Sequence, residues 1–172
     1  MKSLFIGDSI TEGFPVQELL PQKHVFNRGI SGTTSGEILE YLDSDWLKGN
    51  PDRIFICLGT NDLARGIDDD TIVANLSNII VKTLSLGKRK DMRFYLTSLF
   101  PTRKNPQRPN LRIFHLNTRI HLLAEYHRQN YLHLNVFFQD ETGSLQASFT
   151  DDGLHLNRSG YKLWADLLKG LI

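Results

Sequence analysis

Ile54-Phe55-Ile56-Cys57-Leu58, followed at once by Gly59-Thr60-Asn61-Asp62, is the stretch that decides the fold. The apolar run has the length of a strand, and the glycine and polar residues behind it end that strand. An apolar run without polar alternation fits a strand buried on both faces, as inside a parallel sheet. Outward from this segment the form recurs more weakly. Leu4-Phe5-Ile6 precedes Gly7, Val25-Phe26 is fainter, Phe94-Tyr95-Leu96 follows, and Leu132 to Phe138 completes the set. Between these runs lie segments of helical period. Ile38, Leu42 and Trp46 mark one apolar face, opened by Thr34 and Glu37 as a capping box. Ile72, Leu76, Ile79, Ile80 and Leu84 mark the next, with Asp68, Asp69 and Asp70 suited to a helix start. Ile113, Leu116, Ile120, Leu123 and His127 mark a third, and Tyr161, Trp164, Leu168 and Leu171 the last. Strand alternating with helix throughout predicts an α/β fold with a five-stranded parallel sheet, covered on both faces, in the flavodoxin-like order 2-1-3-4-5. No repeat or linker interrupts it, so residues 1–172 are expected to form one domain. Pro101 to Asn110, rich in proline and basic residues, reads as a surface loop after the fourth strand.

Composition narrows the function classes. The formal net charge is +1, from 20 basic and 19 acidic residues. That balance gives no electrostatic reason to expect nucleic acid or an anionic membrane as partner. Cys57 is the sole cysteine, which excludes an internal disulfide and fits a reducing compartment. The apolar run after Met1-Lys2-Ser3 is too short for a secretory signal, and no segment approaches a membrane span. A cytoplasmic location is expected.

The topology also makes a spatial prediction. In doubly wound sheets, chemistry gathers at the carboxyl ends of the strands near the switch point. Ser9 follows the first strand, Gly32 the second, Asn61 the third, and His155 the fifth. All four are expected at one sheet edge. A hydroxyl needs a base to become a nucleophile, and the base needs an orienting group. Ser9, His155 and Asp152 can supply these, while the N–H groups of Ser9 and Gly32 and the Asn61 amide can stabilise a developing oxyanion. The Asp152-x-x-His155 spacing suits one tight turn; Asp151 competes for the same task.

Gly7-Asp8-Ser9-Ile10, Asn27-Arg28-Gly29-Ile30-Ser31-Gly32, Gly59-Thr60-Asn61-Asp62 and Asp152-Gly153-Leu154-His155 together resemble the blocks of the SGNH hydrolases, also called GDSL esterases and lipases. The resemblance runs from Gly7 to about Trp164, with Ile10 where the family name has leucine. It implies a three-layer α/β/α fold, Ser9 as nucleophile, His155 as base, Asp152 as its partner, and an oxyanion hole from Ser9, Gly32 and Asn61. It implies a small-molecule ester substrate and no metal or organic cofactor. The expected activity is serine ester hydrolysis, on short acyl groups such as acetyl because no long apolar insertion suggests a deep acyl tunnel. Lysophospholipase and thioesterase activity are the alternatives within the family. The Gly-x-Ser-x-Gly elbow of α/β-hydrolases is absent.

Other residues have plainer readings. Asp8 is expected to accept backbone N–H bonds beside a turn. Asn27 either ties two loops together or serves a turn. Cys57 reads as a core residue. His115, His121, His127 and His133 recur every six residues, a spacing that does not share a helix face, and His24 stands apart. Arg65 and Arg103 are candidate substrate-pocket residues, and Arg103, Lys104 and Arg108 otherwise form a solvated basic face. A different class is a flavodoxin-like, non-catalytic binding module, with Gly32-Thr33-Thr34-Ser35-Gly36 holding a phosphate at a helix start. The sequence leaves the oligomeric state open.

Overall fold

The computed structural model describes residues 1–21, 23–89 and 91–172. Its sheet contains β1 (Lys2–Gly7), β2 (His24–Gly29), β3 (Arg53–Cys57), β4 (Arg93–Thr97) and β5 (Asn130–Leu132). Every pairing is parallel, and the order is β2-β1-β3-β4-β5. The helices are α1 (Ser9–Glu12), α2 (Val16–Leu19), α3 (Ser35–Tyr41), α4 (Thr60–Ala64), α5 (Asp69–Leu86), α6 (Asn110–Tyr126) and α7 (Arg158–Leu168). They cover both faces of the sheet, the α/β architecture that strand–helix alternation predicts.

Strand alternation builds the core. Phe5, Phe55 and Tyr95 are neighbours in register on β1, β3 and β4 and stack at 4.7 Å between successive rings. Trp164 of α7 meets Phe5 edge-on and stacks on Phe14 at 4.6 Å. Leu4, Ile6, Ile54, Ile56, Phe94 and Leu96 point the other way and are also buried. α5 adds the buried stripe Ile72, Leu76, Ile79 and Ile80.

Two expectations are corrected. The fifth strand does not run from Leu132 to Phe138; β5 ends at Leu132, and Asn135–Phe137 is a 3₁₀ turn. Ser98 Oγ accepts the N–H groups of Leu134 and Asn135 at 3.0 and 2.9 Å, which takes the chain out of the ladder. Val136 and Phe137 are left exposed rather than buried in a strand. Trp46 does not continue the helix of Ile38. α3 stops at Tyr41, Leu42 turns to extended backbone, and Asp43 caps a separate 3₁₀ turn, Ser44–Leu47.

The register fixes where the loops emerge. Gly7 lies opposite Gly29 on one side and Cys57 on the other. The segments that follow these three residues therefore leave the sheet side by side.

Candidate functional site

Ser9 opens α1, directly behind the end of β1. Asp8 caps this helix, its Oδ1 accepting the Ile10 N–H at 3.0 Å. The Asp8 side chain is buried, and burial pushes its pKa up to about 6, against the Ile10 hydrogen bond and the pull of His155 and Arg108. Asn27 of β2 bonds to the same turn. Its Nδ2 donates to the carbonyls of Thr11 at 2.7 Å and Phe14 at 3.2 Å, and its Oδ1 accepts the Gly29 N–H at 2.9 Å. From α7, the Tyr161 hydroxyl donates to the Ile10 carbonyl at 2.8 Å.

Gly32 lies between β2 and α3 with φ of +76°. A Cβ there would meet nothing within 4 Å, so the left-handed backbone, not crowding, is what calls for glycine. The Gly32 carbonyl accepts from Arg65 Nη2 at 2.8 Å, and Arg65 Nη1 pairs with Glu37 at 3.0 Å. Glu37 in turn completes the capping box with Thr34. Arg65 thus braces the Gly32 loop from behind. Asn61, in the first turn of α4, donates from Nδ2 to the Thr33 carbonyl at 3.0 Å. Its Oδ1 accepts from Arg108 Nη2 at 3.1 Å, and Arg108 Nε donates to the Thr60 carbonyl at 3.0 Å. Arg108 is therefore no member of a freely solvated basic face. It is partly buried, and burial lowers its pKa. Loop composition gave no signal for this contact, because the partners are 47 and 48 residues away in sequence.

The remaining residues arrive on the irregular segment between β5 and α7. His155 Nε2 lies 3.0 Å from Ser9 Oγ, and His155 Nδ1 lies 2.6 Å from Asp152 Oδ2. Asp152 Oδ1 also accepts the N–H groups of Leu154 at 2.9 Å and His155 at 2.8 Å. Partial burial works against ionisation of Asp152, but the hydrogen bonds from the His155 ring and these two N–H groups outweigh it and hold the pKa at about 2. A carboxylate can only accept, so Nδ1 carries a proton and donates it to Asp152, while Nε2 is the ring atom that faces the serine. Asp151 Oδ1 instead takes a long bond from Asn157 Nδ2 at 3.4 Å. The turn is set by Gly153, with φ of +83° and its N–H on Thr150 Oγ1 at 2.9 Å. Thr150 has no recognisable sequence signature, although a hydroxyl three residues before a turn glycine is a known local bonding pattern.

The Arg103 N–H donates to the Gly153 carbonyl at 2.8 Å, so the 101–109 loop supports this turn. The Arg103 side chain bonds to Asp140 and to the Leu145 carbonyl. An open cavity of about 450 Å³ is lined by Arg103, Lys104, Thr150, Asp151, Asp152 and Gly153. Cys57 is buried, and burial first, then Asp8, pushes its thiol pKa well up, so the thiol stays protonated. His127 bonds Ser77 Oγ at 2.7 Å, while His121 stacks on Tyr131. Among the described residues, no group of three or more His, Cys, Asp or Glu is placed to hold a metal ion, and no helix is long and apolar enough to cross a membrane.

Three residues of the Gly32–Gly36 loop spend their donors on protein acceptors, with the Thr33 N–H on the Ile30 carbonyl at 3.4 Å. Ser35 N–H and Oγ both go to the Asp62 carboxylate, the hydroxyl at 2.5 Å, and the Thr34 N–H goes to Glu37 at 2.8 Å. A carboxylate already occupies the position where a phosphate would sit at the start of α3.

The profile of the GDSL-like Lipase/Acylhydrolase family matches residues 5–163, and the chain belongs to that family. A solved structure from Streptococcus pneumonia, provisionally described as a platelet activating factor, superposes with a TM-score of 0.91 at 32% identity, over 99% of this chain and 83% of that one. An N-acylneuraminate cytidylyltransferase from Escherichia coli O18:K1:H7 (strain RS218 / NMEC) is 28% identical over 159 residues, 91% of this chain. The chain spans only 36% of the length of that relative. An arylesterase from Vibrio mimicus is 37% identical over 93 residues, 46% of each chain.

Proposed function

We propose that the protein is a serine carboxylic-ester hydrolase that works through an acyl-enzyme on Ser9. The observation that carries this reading is the unbroken series Ser9 Oγ, His155 Nε2, His155 Nδ1, Asp152 Oδ2, at 3.0 and 2.6 Å. His155 Nε2 takes the Ser9 proton as Oγ attacks the ester carbonyl carbon. The tetrahedral oxyanion is received by the N–H groups of Ser9 and Gly32 and by Asn61 Nδ2. The intermediate collapses, the C–O bond to the alcohol breaks, and His155 returns the proton to the leaving oxygen. Water then attacks the acyl-enzyme by the same path, releasing the acid and restoring Ser9. Asp152 stays ionised throughout and fixes the tautomer and orientation of His155. Residues 1–172 act as one domain in this reading, supported by a single continuous hydrophobic cluster.

The substrate we propose is a short acyl ester, such as acetyl, of a polar alcohol. Among the chain's apolar runs, no long insertion suggests a deep acyl tunnel, which supports a short acyl group. The arylesterase similarity supports ester chemistry in general. The test is turnover of p-nitrophenyl esters from acetyl to palmitoyl, with acetylated sugars and a lysophospholipid alongside, for the parent protein and Ser9→Ala. Acetyl turnover that Ser9→Ala abolishes is the expected result. Folded protein that cleaves none of these esters contradicts the reading, and preference for palmitoyl or lysophospholipid contradicts the substrate class.

A further inference from the structure

We infer that Arg108 is a positioning residue for the oxyanion site, acting through the Asn61 side chain; this rests on the ester-hydrolase reading above. An asparagine amide has two faces of opposite character, and rotation by half a turn exchanges its N–H groups for its oxygen. An oxyanion donor works only if that rotation is prevented. Two contacts prevent it here, and each permits one orientation. The Thr33 carbonyl can only accept, so it selects Nδ2, at 3.0 Å. The Arg108 guanidinium can only donate, so it selects Oδ1, at 3.1 Å. Nδ2 has two hydrogens and Thr33 uses one. The second remains for the oxyanion.

The Arg108 guanidinium is itself held in a fixed plane. Its Nε donates to the Thr60 carbonyl at 3.0 Å, the residue immediately before Asn61, so the fork spans backbone and side chain of consecutive positions. A lysine ammonium carries its three donors on one nitrogen and lacks the planar fork that reaches both acceptors at once. The positive charge on the amide oxygen also polarises the amide and strengthens its remaining N–H as a donor. The partly buried setting reduces the screening of this effect by water. The loop does not need the guanidinium to hold its shape. Thr102 Oγ1 bonds the Arg108 carbonyl at 2.8 Å, and Thr102 and Asn110 exchange two further bonds, each at 2.8 Å. All of these survive removal of the Arg108 side chain.

The experiment is a double-mutant cycle with Arg108→Ala and Asn61→Ala, read by kcat and KM on p-nitrophenyl acetate, with Arg108→Lys as a third variant. Losing one oxyanion donor costs roughly 10²–10³-fold in turnover, which bounds an effect exerted through that donor. Arg108→Ala is expected to lower kcat about 10- to 100-fold with little change in KM, within that bound. In the Asn61→Ala background the same change is expected to cost less than about twofold, because the group it acts through is gone. Arg108→Lys is expected to recover only part of the loss, and it carries the cycle if the alanine variant does not fold. The Asn61 side-chain amide pair in a ¹⁵N–¹H NMR spectrum, assigned by its absence in Asn61→Ala, should shift or broaden in both Arg108 variants. Additive losses in the cycle, unchanged kcat in Arg108→Ala, or an unmoved Asn61 amide pair would overturn the role of Arg108 while leaving the ester reading intact. A parent protein without ester turnover overturns the ester reading instead, and with it the catalytic meaning of the contact.

Discussion

The two halves of the site are built by different means. Ser9, Gly32 and Asn61 follow directly behind β1, β2 and β3, whose ends are aligned by the sheet register. Asp152 and His155 hang on the long irregular segment between β5 and α7, with side chains 54% and 44% exposed. The first half takes its backbone position from main-chain pairing and a buried core, with Arg65 and Arg108 bracing Gly32 and Asn61. The second takes it from individual contacts: the Gly153 N–H on Thr150, the Gly153 carbonyl on the Arg103 N–H, and the Asn157 N–H on the Phe149 carbonyl at 2.9 Å. A serine and a glycine can be placed by topology alone, whereas an imidazole must also be turned to the correct angle. That requires a bond to its ring, and Asp152 Oδ2 provides it at 2.6 Å from Nδ1.

The largest expected effect lies in the sheet-anchored half. Ser9→Ala is expected to lower ester turnover by on the order of 10⁴- to 10⁶-fold with the stability to urea nearly unchanged. Next is Asp152→Asn, expected to cost about 10²- to 10⁴-fold in kcat, since the amide can present a donor to Nδ1 and favour the wrong tautomer. If turnover survives that change within a few-fold, the bond to Asp152 is not what orients His155, and the contrast between the halves is weakened.

Stability against pH separates the two carboxylates. Asp8, at about 6 in the fold against 3.8 otherwise, favours the folded state most below pH 3.8 and loses that contribution as pH rises through 6. The difference is on the order of 2–3 kcal/mol for so buried a group. Asp152, at about 2, contributes above pH 3.8 and loses its share as pH falls through 2. Asp8→Asn should therefore remove the decline in urea stability between about pH 4 and pH 6, leaving the acid limb in place. An unchanged slope in that variant would assign the decline to another group. The smallest effect is expected of Tyr161→Phe, which cuts the one hydroxyl bond from α7 to the Ile10 carbonyl. A loss of about 1 kcal/mol, with kcat reduced less than tenfold, would show that the two halves are held together mainly by packing.

The same contrast explains what could be read from the chain. The apolar runs at Leu4–Ile6, Ile54–Leu58 and Phe94–Leu96 foretold buried strands, because burial on both faces leaves a run with no polar alternation. Leu132–Phe138, interrupted by His133 and Asn135, misled for a different reason: Val136 and Phe137 are apolar yet exposed, and the bonds to Ser98 Oγ that end the strand join residues far apart in sequence. α1, α2 and α4 have only four or five residues, too few to display a period. Ser9, Gly32, Asn61, Asp152 and His155 stood out because each sits in a short block beside a strand or helix boundary. Arg65 reads from sequence only as a pocket candidate and Arg108 only as part of a basic face, since what they brace is set by tertiary contacts to Gly32, Glu37, Asn61 and Thr60.

In the proposed reaction everything turns on His155 making Ser9 a nucleophile. Treatment with a fluorophosphonate, followed by peptide mass spectrometry, tests it most directly. The expected result is one adduct, on the peptide containing Ser9, formed rapidly in the parent protein and slowed by several orders of magnitude in His155→Ala. An adduct on another residue, or labelling of Ser9 at the same rate without His155, would contradict these roles.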